Sequence, residues 1–316
     1  MYNRDNYEPS RVNVGFPLVS RRWLSLLEDH DRHGFKFIPR IDIKSRKPLG
    51  FTFKSNRHGF HGGDDLTRET VILGTSFAMG MSVDEGCNWH QLDKYFSDSC
   101  CNFGMPVDAL SHLNVLDDLY RGRYEQLIYI YHPNIWSIAK SFQLSRQLGM
   151  PISEYYKWDC RYSAIPYQMT KWVVKRILRR VDSEVISGHG RLEYSNRYCA
   201  WDNGSDLNLT VFKSALSDMR TLFARFKSVK IVRVPVKEQA LYAVTSNMRL
   251  KSIVTNYDDN FRLFCEALSS GNQRHISIAD LTTKMLDIEN FLPFDNHLSP
   301  RGNELLCKLV KEALDV

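Results

Sequence analysis

The 316-residue sequence lacks the features that mark a disulfide-stabilised or zinc-binding protein. Its seven cysteines are odd in number and scattered, only Cys100 and Cys101 are adjacent, and no C-x-x-C pair occurs. A disulfide framework and a structural zinc site are therefore not indicated, and a reducing compartment is the simpler interpretation. No group of His, Asp, Glu and Cys residues has the spacing of metal ligands, so we expect no metal.

Long apolar runs are also missing. The N-terminal stretch MYNRDNYEPSRVNVGF is polar and lacks the apolar segment of a signal peptide. No stretch is long and apolar enough to cross a bilayer, so we expect a cytoplasmic protein. The net charge of +6 and the pI near 8.8 are only mildly basic, and no nucleic-acid-binding module can be recognised. We therefore expect no nucleic-acid partner.

The sequence does contain a hydrophobic fraction of 43%, enough for a sizeable core, and a regular alternation of apolar runs with helical patterns. Such alternation predicts a parallel sheet flanked by helices. We therefore predict an α/β fold, a three-layer α/β/α sandwich over residues 69–316. The predicted strands cover residues 70–73, 100–103, 127–131, 230–236 and 275–281, and the predicted helices cover residues 88–96, 109–120, 207–226, 259–268 and 301–314.

Two segments lie outside this alternation. Residues 1–68 are predicted to form an N-terminal apron on the core, with a short helix at 21–29 and short strands at 35–43 and 49–54. Residues from about 135 to 206 are predicted to form a large helical insertion, which is aromatic and basic. Insertions of this length are typical of lids, binding elements or disordered segments.

The insertion contains Trp158, Trp172 and a basic stretch at 171–180, KWVVKRILRR, with five cations and no acid. Its aromatic side chains could stack on sugar rings or fill a small core of the insertion itself. The basic stretch could be a lid that contacts an anionic glycan or a membrane surface, or a solvated helix that packs by one face. The sequence leaves these alternatives open.

Polar residues and a glycine follow the predicted strands where each strand ends. Ser76 follows the first strand, Gly104 the second and Asn134 the third, while Asp295 and His297 precede the last helix. Ligands of open α/β sheets bind at the carboxyl ends of the strands, so a serine there is a candidate nucleophile if a base can reach it. The alternative is that these residues have structural roles alone, with Ser76 and Asp295 capping helices and with Gly104 and Asn134 forming turns.

The segments around these residues resemble the four motif blocks of the SGNH/GDSL hydrolases. The stretches LGTSFAMGMSVDEG, NFGMP, YHPN and FDNHLSPRG are similar to the serine, glycine, asparagine and histidine blocks. NRHGFHG at 56–62 and VPVKE at 234–238 resemble segments of bacterial members that modify polysaccharides. The resemblance covers about residues 56–134 and 230–312, and it implies the flavodoxin-like fold of the SGNH hydrolases.

The resemblance also implies a role for each residue. Ser76 would be the nucleophile, His297 the general base, and Asp295 the acid that orients the imidazole. The backbone N–H groups of Ser76 and Gly104 and the side chain of Asn134 would hold the oxyanion. Residues expected to contact the substrate are Thr75, His132, Trp158 and Trp172. A purely structural role for His132 is the alternative.

Three functions are compatible with this set of residues. The leading one is a serine-dependent ester hydrolase that removes O-acyl groups, with O-acetyl as the first candidate, from a carbohydrate through an acyl-enzyme. The same groups would serve a glycan O-acetyltransferase with acetyl-CoA as its donor, and otherwise no cofactor is expected. The third is a non-catalytic glycan-binding protein of the same fold. The expected partner is a small-molecule ester or an O-acylated glycan.

Overall fold

The computed structural model describes residues 35–41, 48–53, 60–61, 65–80, 83–84, 86–104, 107–119, 125–149, 183–186, 190–193, 206–246, 248–269, 275–292 and 297–315. Five of the sequence predictions fall outside these residues. They concern the helix at 21–29, the basic stretch at 171–180, Trp158, Trp172 and Asp295.

A five-stranded parallel sheet lies at the centre of the described structure, with its strands in the order β4-β3-β5-β8-β9. Two further antiparallel pairs, β1 with β2 and β6 with β7, lie outside it. The parallel α/β fold predicted from the sequence is therefore confirmed. In chain order the strands are β1 (Phe35–Ile41), β2 (Pro48–Phe53), β3 (Thr70–Gly74), β4 (Cys100–Asn102), β5 (Gln126–Tyr131), β6 (Ser183–Ile186), β7 (Gly190–Glu193), β8 (Ser228–Arg233) and β9 (Ile276–Asp280).

Helices cover both faces of this sheet. They are α1 (Ser76–Met79), α2 (Lys94–Ser99), α3 (Ala109–Leu119), α4 (Asn134–Gln147), α5 (Asp206–Phe223), α6 (Lys237–Thr245), α7 (Met248–Ser269) and α8 (Pro300–Leu314). Short 3₁₀ turns lie at Trp89–Gln91, Thr283–Met285 and Ile288–Asn290. Among the described helices, none combines the length and the apolar character that a bilayer span requires.

The three layers follow from the side-chain alternation of the strands, which sends successive residues to opposite faces of the sheet. In β5, Leu127 and Tyr129 belong to a hydrophobic cluster that includes residues of α3, α4 and α5. Ile128 and Ile130 belong to a second cluster that includes residues of α6 and α8. Both faces of the strand are therefore buried, which explains why its sequence reads as a nearly continuous apolar run.

The strand order places a topological switch point between β3 and β5. The chain passes from β3 to β4 on one side of β3, and then to β5 on its other side. In open α/β sheets, ligands bind outside the carboxyl ends of the strands at such a point. Ser76 follows β3 and Asn134 follows β5, so the predicted residues lie at the switch point.

Besides the single turn α1, two helices were not predicted from the sequence. α4 begins at Asn134 and continues the α/β alternation into the stretch that was assigned to the insertion. Its buried residues Ile135, Trp136, Ala139 and Phe142 recur at helical spacing and pack on the sheet. α6 follows β8 directly, and α7 begins well before the predicted residue 259.

Candidate active site

The candidate nucleophile lies on a tight turn at the end of β3. Gly74 has a φ of 142°, and a Cβ atom at this position would lie 2.5 Å from the carbonyl oxygen of Ile130 in β5. Only glycine therefore lets the chain leave β3 this close to its neighbour. Ser76 is the first residue of α1, and Gly80 closes that helix in the left-handed conformation. The glycines on both sides explain why a single helical turn forms here.

Ser76 and His297 are in direct contact. The distance between Ser76 Oγ and His297 Nε2 is 2.8 Å, although the two residues are 221 positions apart in the sequence. This geometry lets the hydroxyl donate a hydrogen bond to Nε2 when the imidazole carries its own proton on Nδ1. Ser76 is 6% exposed and His297 is half-buried. The pair has the arrangement of a nucleophile and its base.

The backbone of His297 is held by pairing across its loop. The N–H of Leu292 donates to the carbonyl of His297 at 2.9 Å, and Phe291 forms an antiparallel bridge with Leu298. Ser299 caps α8 by accepting the N–H of Gly302 at 3.2 Å and donates its own hydroxyl to the Glu289 carbonyl at 2.6 Å. His297, the candidate base, therefore lies between backbone segments that are fixed on both sides.

Three side chains from outside α1 bond to its carbonyl groups. Trp89 Nε1 donates to the carbonyls of Phe77 and Ala78 at 3.1 and 3.2 Å. Asn102 Nδ2 donates to the Ala78 carbonyl at 2.9 Å, and His61 Nδ1 bonds to the Met79 carbonyl at 2.8 Å. The N–H of Gly80 also donates to the Phe77 carbonyl, at 3.2 Å. A helix of one turn has no following turn to bond its last carbonyls, so the side chains help to fix its position.

These supporting residues were not predicted from the sequence. Asn102 and His61 lie inside the motif blocks NFGMP and NRHGFHG, so the blocks themselves were a signal for them. Trp89 lies outside these blocks, and its sequence neighbourhood gives no signal for its bond to α1, which depends on the tertiary structure.

The backbone of Gly104 lies so close to α1 that a side chain at this position would collide with the helix. A Cβ atom there would lie 2.5 Å from the Met79 nitrogen and 2.7 Å from Ala78 Cβ. Its N–H, the expected oxyanion donor, donates to Asn102 Oδ1 at 2.8 Å. Asn102 therefore joins α1 to this loop, and in this structure the Gly104 N–H is directed at that side chain.

His132 and Asn134 lie at the end of β5. The His132 ring stacks on the Phe77 ring with centroids 4.0 Å apart and an interplanar angle of 16°. His132 Nδ1 accepts the backbone N–H of Asn134 at 3.2 Å, which assigns the proton of the neutral ring to Nε2. Burial, and then the proximity of the His297 imidazole, lower the pKa of His132 to about 3. His132 is thus a neutral imidazole beside the serine turn.

Asn134 and Thr75 are the remaining predicted site residues within the described part of the chain. Asn134 is half-buried and is the first residue of α4, at the strand end next to that of Ser76. Thr75 is 1% exposed, and its Oγ1 makes no hydrogen bond to any other described residue. Within the part of the chain that the structure describes, no group of three or more His, Cys, Asp or Glu residues is arranged to hold a metal ion.

No family model matches the chain, and no curated protein matches it. Two solved structures share parts of the fold at low identity. A lipase, Lip_vut3, from a goat rumen metagenome is 9% identical with a TM-score of 0.40, covering 78% of this chain and 97% of its own. A candidate acylhydrolase from Bacteroides fragilis NCTC 9343 is 10% identical with a TM-score of 0.38, covering 79% and 88%.

Proposed function

We propose that the chain is a serine-dependent ester hydrolase with Ser76 as nucleophile and His297 as general base. The observation that carries this proposal is the 2.8 Å contact between Ser76 Oγ and His297 Nε2 at the switch point of the sheet. A hydroxyl is a weak nucleophile at its ordinary pKa, and an adjacent imidazole activates it. The buried turn and the fixed loop keep the two groups in register.

The first half-reaction transfers the acyl group to the enzyme. Ser76 Oγ attacks the ester carbonyl while His297 Nε2 takes the hydroxyl proton. The bond between the carbonyl carbon and the alcohol oxygen then breaks, and the imidazolium returns the proton to the leaving alcohol. The second half-reaction repeats these steps with water, which releases the acid and restores the Ser76 hydroxyl.

Stabilisation of the oxyanion and of the imidazolium completes the mechanism. The Ser76 N–H at the start of α1 is the proposed first oxyanion donor, with Gly104 and Asn134 as the further donors. The Gly104 N–H would have to share its bond to Asn102 with the substrate oxygen. Asp295 is the proposed partner of the imidazole Nδ1 proton, two residues before His297 in the sequence.

The proposed substrate is an O-acylated, chiefly O-acetylated, carbohydrate. This choice rests on the motif resemblance and on the aromatic residues at 155–172, with Trp158, Trp172, Thr75 and His132 as the proposed contacts. The proposed location is cytoplasmic, and the basic stretch at 171–180 would meet an anionic glycan or a membrane surface.

Hydrolysis of p-nitrophenyl acetate and labelling by a fluorophosphonate test the proposal. We expect the label on Ser76, and we expect Ser76→Ala and His297→Gln to lower turnover by about 10³-fold or more. Ser141→Ala is the matched control, because this serine lies on α4 and donates to the Ser137 carbonyl of its own helix. No label on Ser76, with turnover equal to that of Ser76→Ala, would favour a non-catalytic glycan-binding protein.

A second candidate function is a glycan O-acetyltransferase that takes its acyl group from acetyl-CoA. The burial of Ser76, which is only 6% exposed, favours it, since an acyl-enzyme shielded from water lasts long enough to meet a sugar hydroxyl. Mass spectrometry of oligosaccharides incubated with acetyl-CoA and the protein would detect transfer. Acetate release without any acetylated sugar across a broad panel would count against it.

A further inference from the structure

The segment VPVKE places two charged residues inside the protein at the start of α6. Lys237 and Glu238 are both fully buried. Lysine is almost never fully buried unless its ammonium is paired, because removing the charge from water is costly. The proposed reaction uses neither residue, so the buried lysine requires another explanation.

The ammonium of Lys237 bonds to the loop that carries His297. Lys237 Nζ donates to the carbonyl of Leu292 at 2.6 Å. The N–H of Leu292 donates in turn to the His297 carbonyl at 2.9 Å. Leu292 is therefore bonded on one side to Lys237 and on the other to the candidate base.

The backbone from which Lys237 extends is itself fixed. Gln239 Oε1 accepts the N–H of Val236 at 3.0 Å, and Gln239 Nε2 donates to Asp258 Oδ1 of α7 at 3.0 Å. The start of α6 is thus held against α7, directly after the sheet strand β8. Lys237 connects this rigid part of the fold to the loop of the base.

We propose that Lys237 is a positioning residue that holds the His297 loop so that Nε2 meets Ser76 Oγ. This inference rests on the proposed function for its catalytic consequence, and on the hydrogen bonds alone for its structural one. A charged donor makes a shorter and stronger bond to a carbonyl than a neutral one. A displacement of the imidazole by about 1 Å is enough to slow catalysis by about 10²-fold.

Lys237→Met and Lys237→Arg separate the bond from the packing, because methionine keeps the chain length without the donor and arginine keeps the charged donor. We expect Lys237→Met to lower kcat by about 10²-fold with KM within about threefold, measured per folded molecule. Lys237→Arg should restore most of kcat. Lys284→Met is the control, because that lysine lies on the surface, where its Nζ is 3.9 Å from Glu312 Oε2.

Hydrogen exchange provides a measurement that does not depend on activity. The Leu292 amide, followed by NMR, should exchange at least about tenfold faster in Lys237→Met, while the amide of Ile231 in β8 keeps its rate. Unchanged exchange at Leu292, or equal kcat losses in the Met and Arg variants, would overturn the inference. Faster exchange at Leu292 in a protein without esterase turnover would instead reject the proposed function and leave the positioning contact standing.

Discussion

His132 stacks on Phe77 with ring centroids 4.0 Å apart, and its Nδ1 accepts the N–H of Asn134. One imidazole therefore connects the residue that follows Ser76 to the first residue of α4. The Phe77 ring in turn lies 5.5 Å from the His297 ring, centroid to centroid. The two strand ends that flank the switch point are joined by this side chain, and its two contacts can be removed separately.

His132→Phe keeps the stacked ring and removes the acceptor, whereas His132→Asn keeps an acceptor near the position of Nδ1 and removes the stack. We expect His132→Asn to slow fluorophosphonate labelling of Ser76 by about tenfold, because loss of the stack, about 1 kcal/mol, releases Phe77. His132→Phe should label within about threefold of the wild-type rate and lose about 1 kcal/mol of unfolding free energy. Equal labelling rates in the two variants would contradict the role of the stack.

Acid should destabilise the protein through its buried histidines. Burial lowers the pKa of both His112 and His132 from the ordinary value of 6.5 to about 3. Between these two values the unfolded chain binds more protons than the folded one, so stability falls as the pH falls through this window. Each imidazole contributes a slope of about 1.4 kcal/mol per pH unit once the pH is well below 6.5 and still above about 3.

Urea unfolding at a series of pH values between about 5 and 7 measures this slope before most carboxylates titrate. His112→Phe should reduce the number of protons taken up on unfolding by about one, which makes the plot of unfolding free energy against pH less steep. The change removes a titrating group from α3 without adding a charge. A wild-type unfolding free energy that stays constant over this range would show that these imidazoles are not held neutral by the fold.

Gly104→Ala should displace the serine turn. The added Cβ would lie 2.5 Å from the Met79 nitrogen, so either α1 or the loop must move. We expect a loss of about 1–3 kcal/mol in unfolding free energy and slower labelling of Ser76 by about tenfold or more.

Gly86→Ala is the matched control for this prediction. Gly86 has a φ of 83°, and an added Cβ would meet nothing within 4 Å, so the cost is backbone strain alone, about 1–2 kcal/mol. Its labelling rate should equal that of the wild type. Similar labelling of both alanine variants would mean that contact with Gly104 does not set the position of Ser76.

Trp89→Phe tests the support of α1. The change removes the indole N–H that bonds to the carbonyls of Phe77 and Ala78, and it should cost about 1 kcal/mol of stability. Labelling of Ser76 should slow by about tenfold, because α1 loses one of the three side chains that bond to its carbonyl groups. Calorimetry and labelling kinetics measure the two effects.

Trp136→Phe separates local support from general packing. Trp136 is also fully buried, but it belongs to the hydrophobic cluster that includes residues of α3, α4 and α5, whereas Trp89 belongs to the cluster with residues of α6 and α8. The indole N–H of Trp136 donates to the Tyr131 hydroxyl at 3.0 Å. This variant should lose comparable stability and keep its labelling rate. Equal slowing in both variants would indicate that stability, rather than the bond to α1, controls the reaction.

The elements with strong local patterns were predicted well from the sequence. β5 was expected at residues 127–131 and covers Gln126–Tyr131, and α8 was expected at residues 301–314 and covers Pro300–Leu314. A run of apolar residues, or a cap of serine and proline, is a short-range signal. α6 was missed because it is short and its start, at Val236, carries no side-chain oxygen to cap the helix, so no comparable local signal marks it.

The sequence by itself determined that a serine ends one apolar strand and that a histidine precedes the last helix, because strand ends and helix starts are set by neighbours a few residues away. The strand order β4-β3-β5-β8-β9 and the contact of Ser76 with His297 were decided only by the tertiary structure. So were the bonds of Asn102 and Trp89 to α1 and of Lys237 to Leu292. These contacts join residues from 12 to 221 positions apart, on different elements, and they form only when burial of both faces of the sheet brings those elements together.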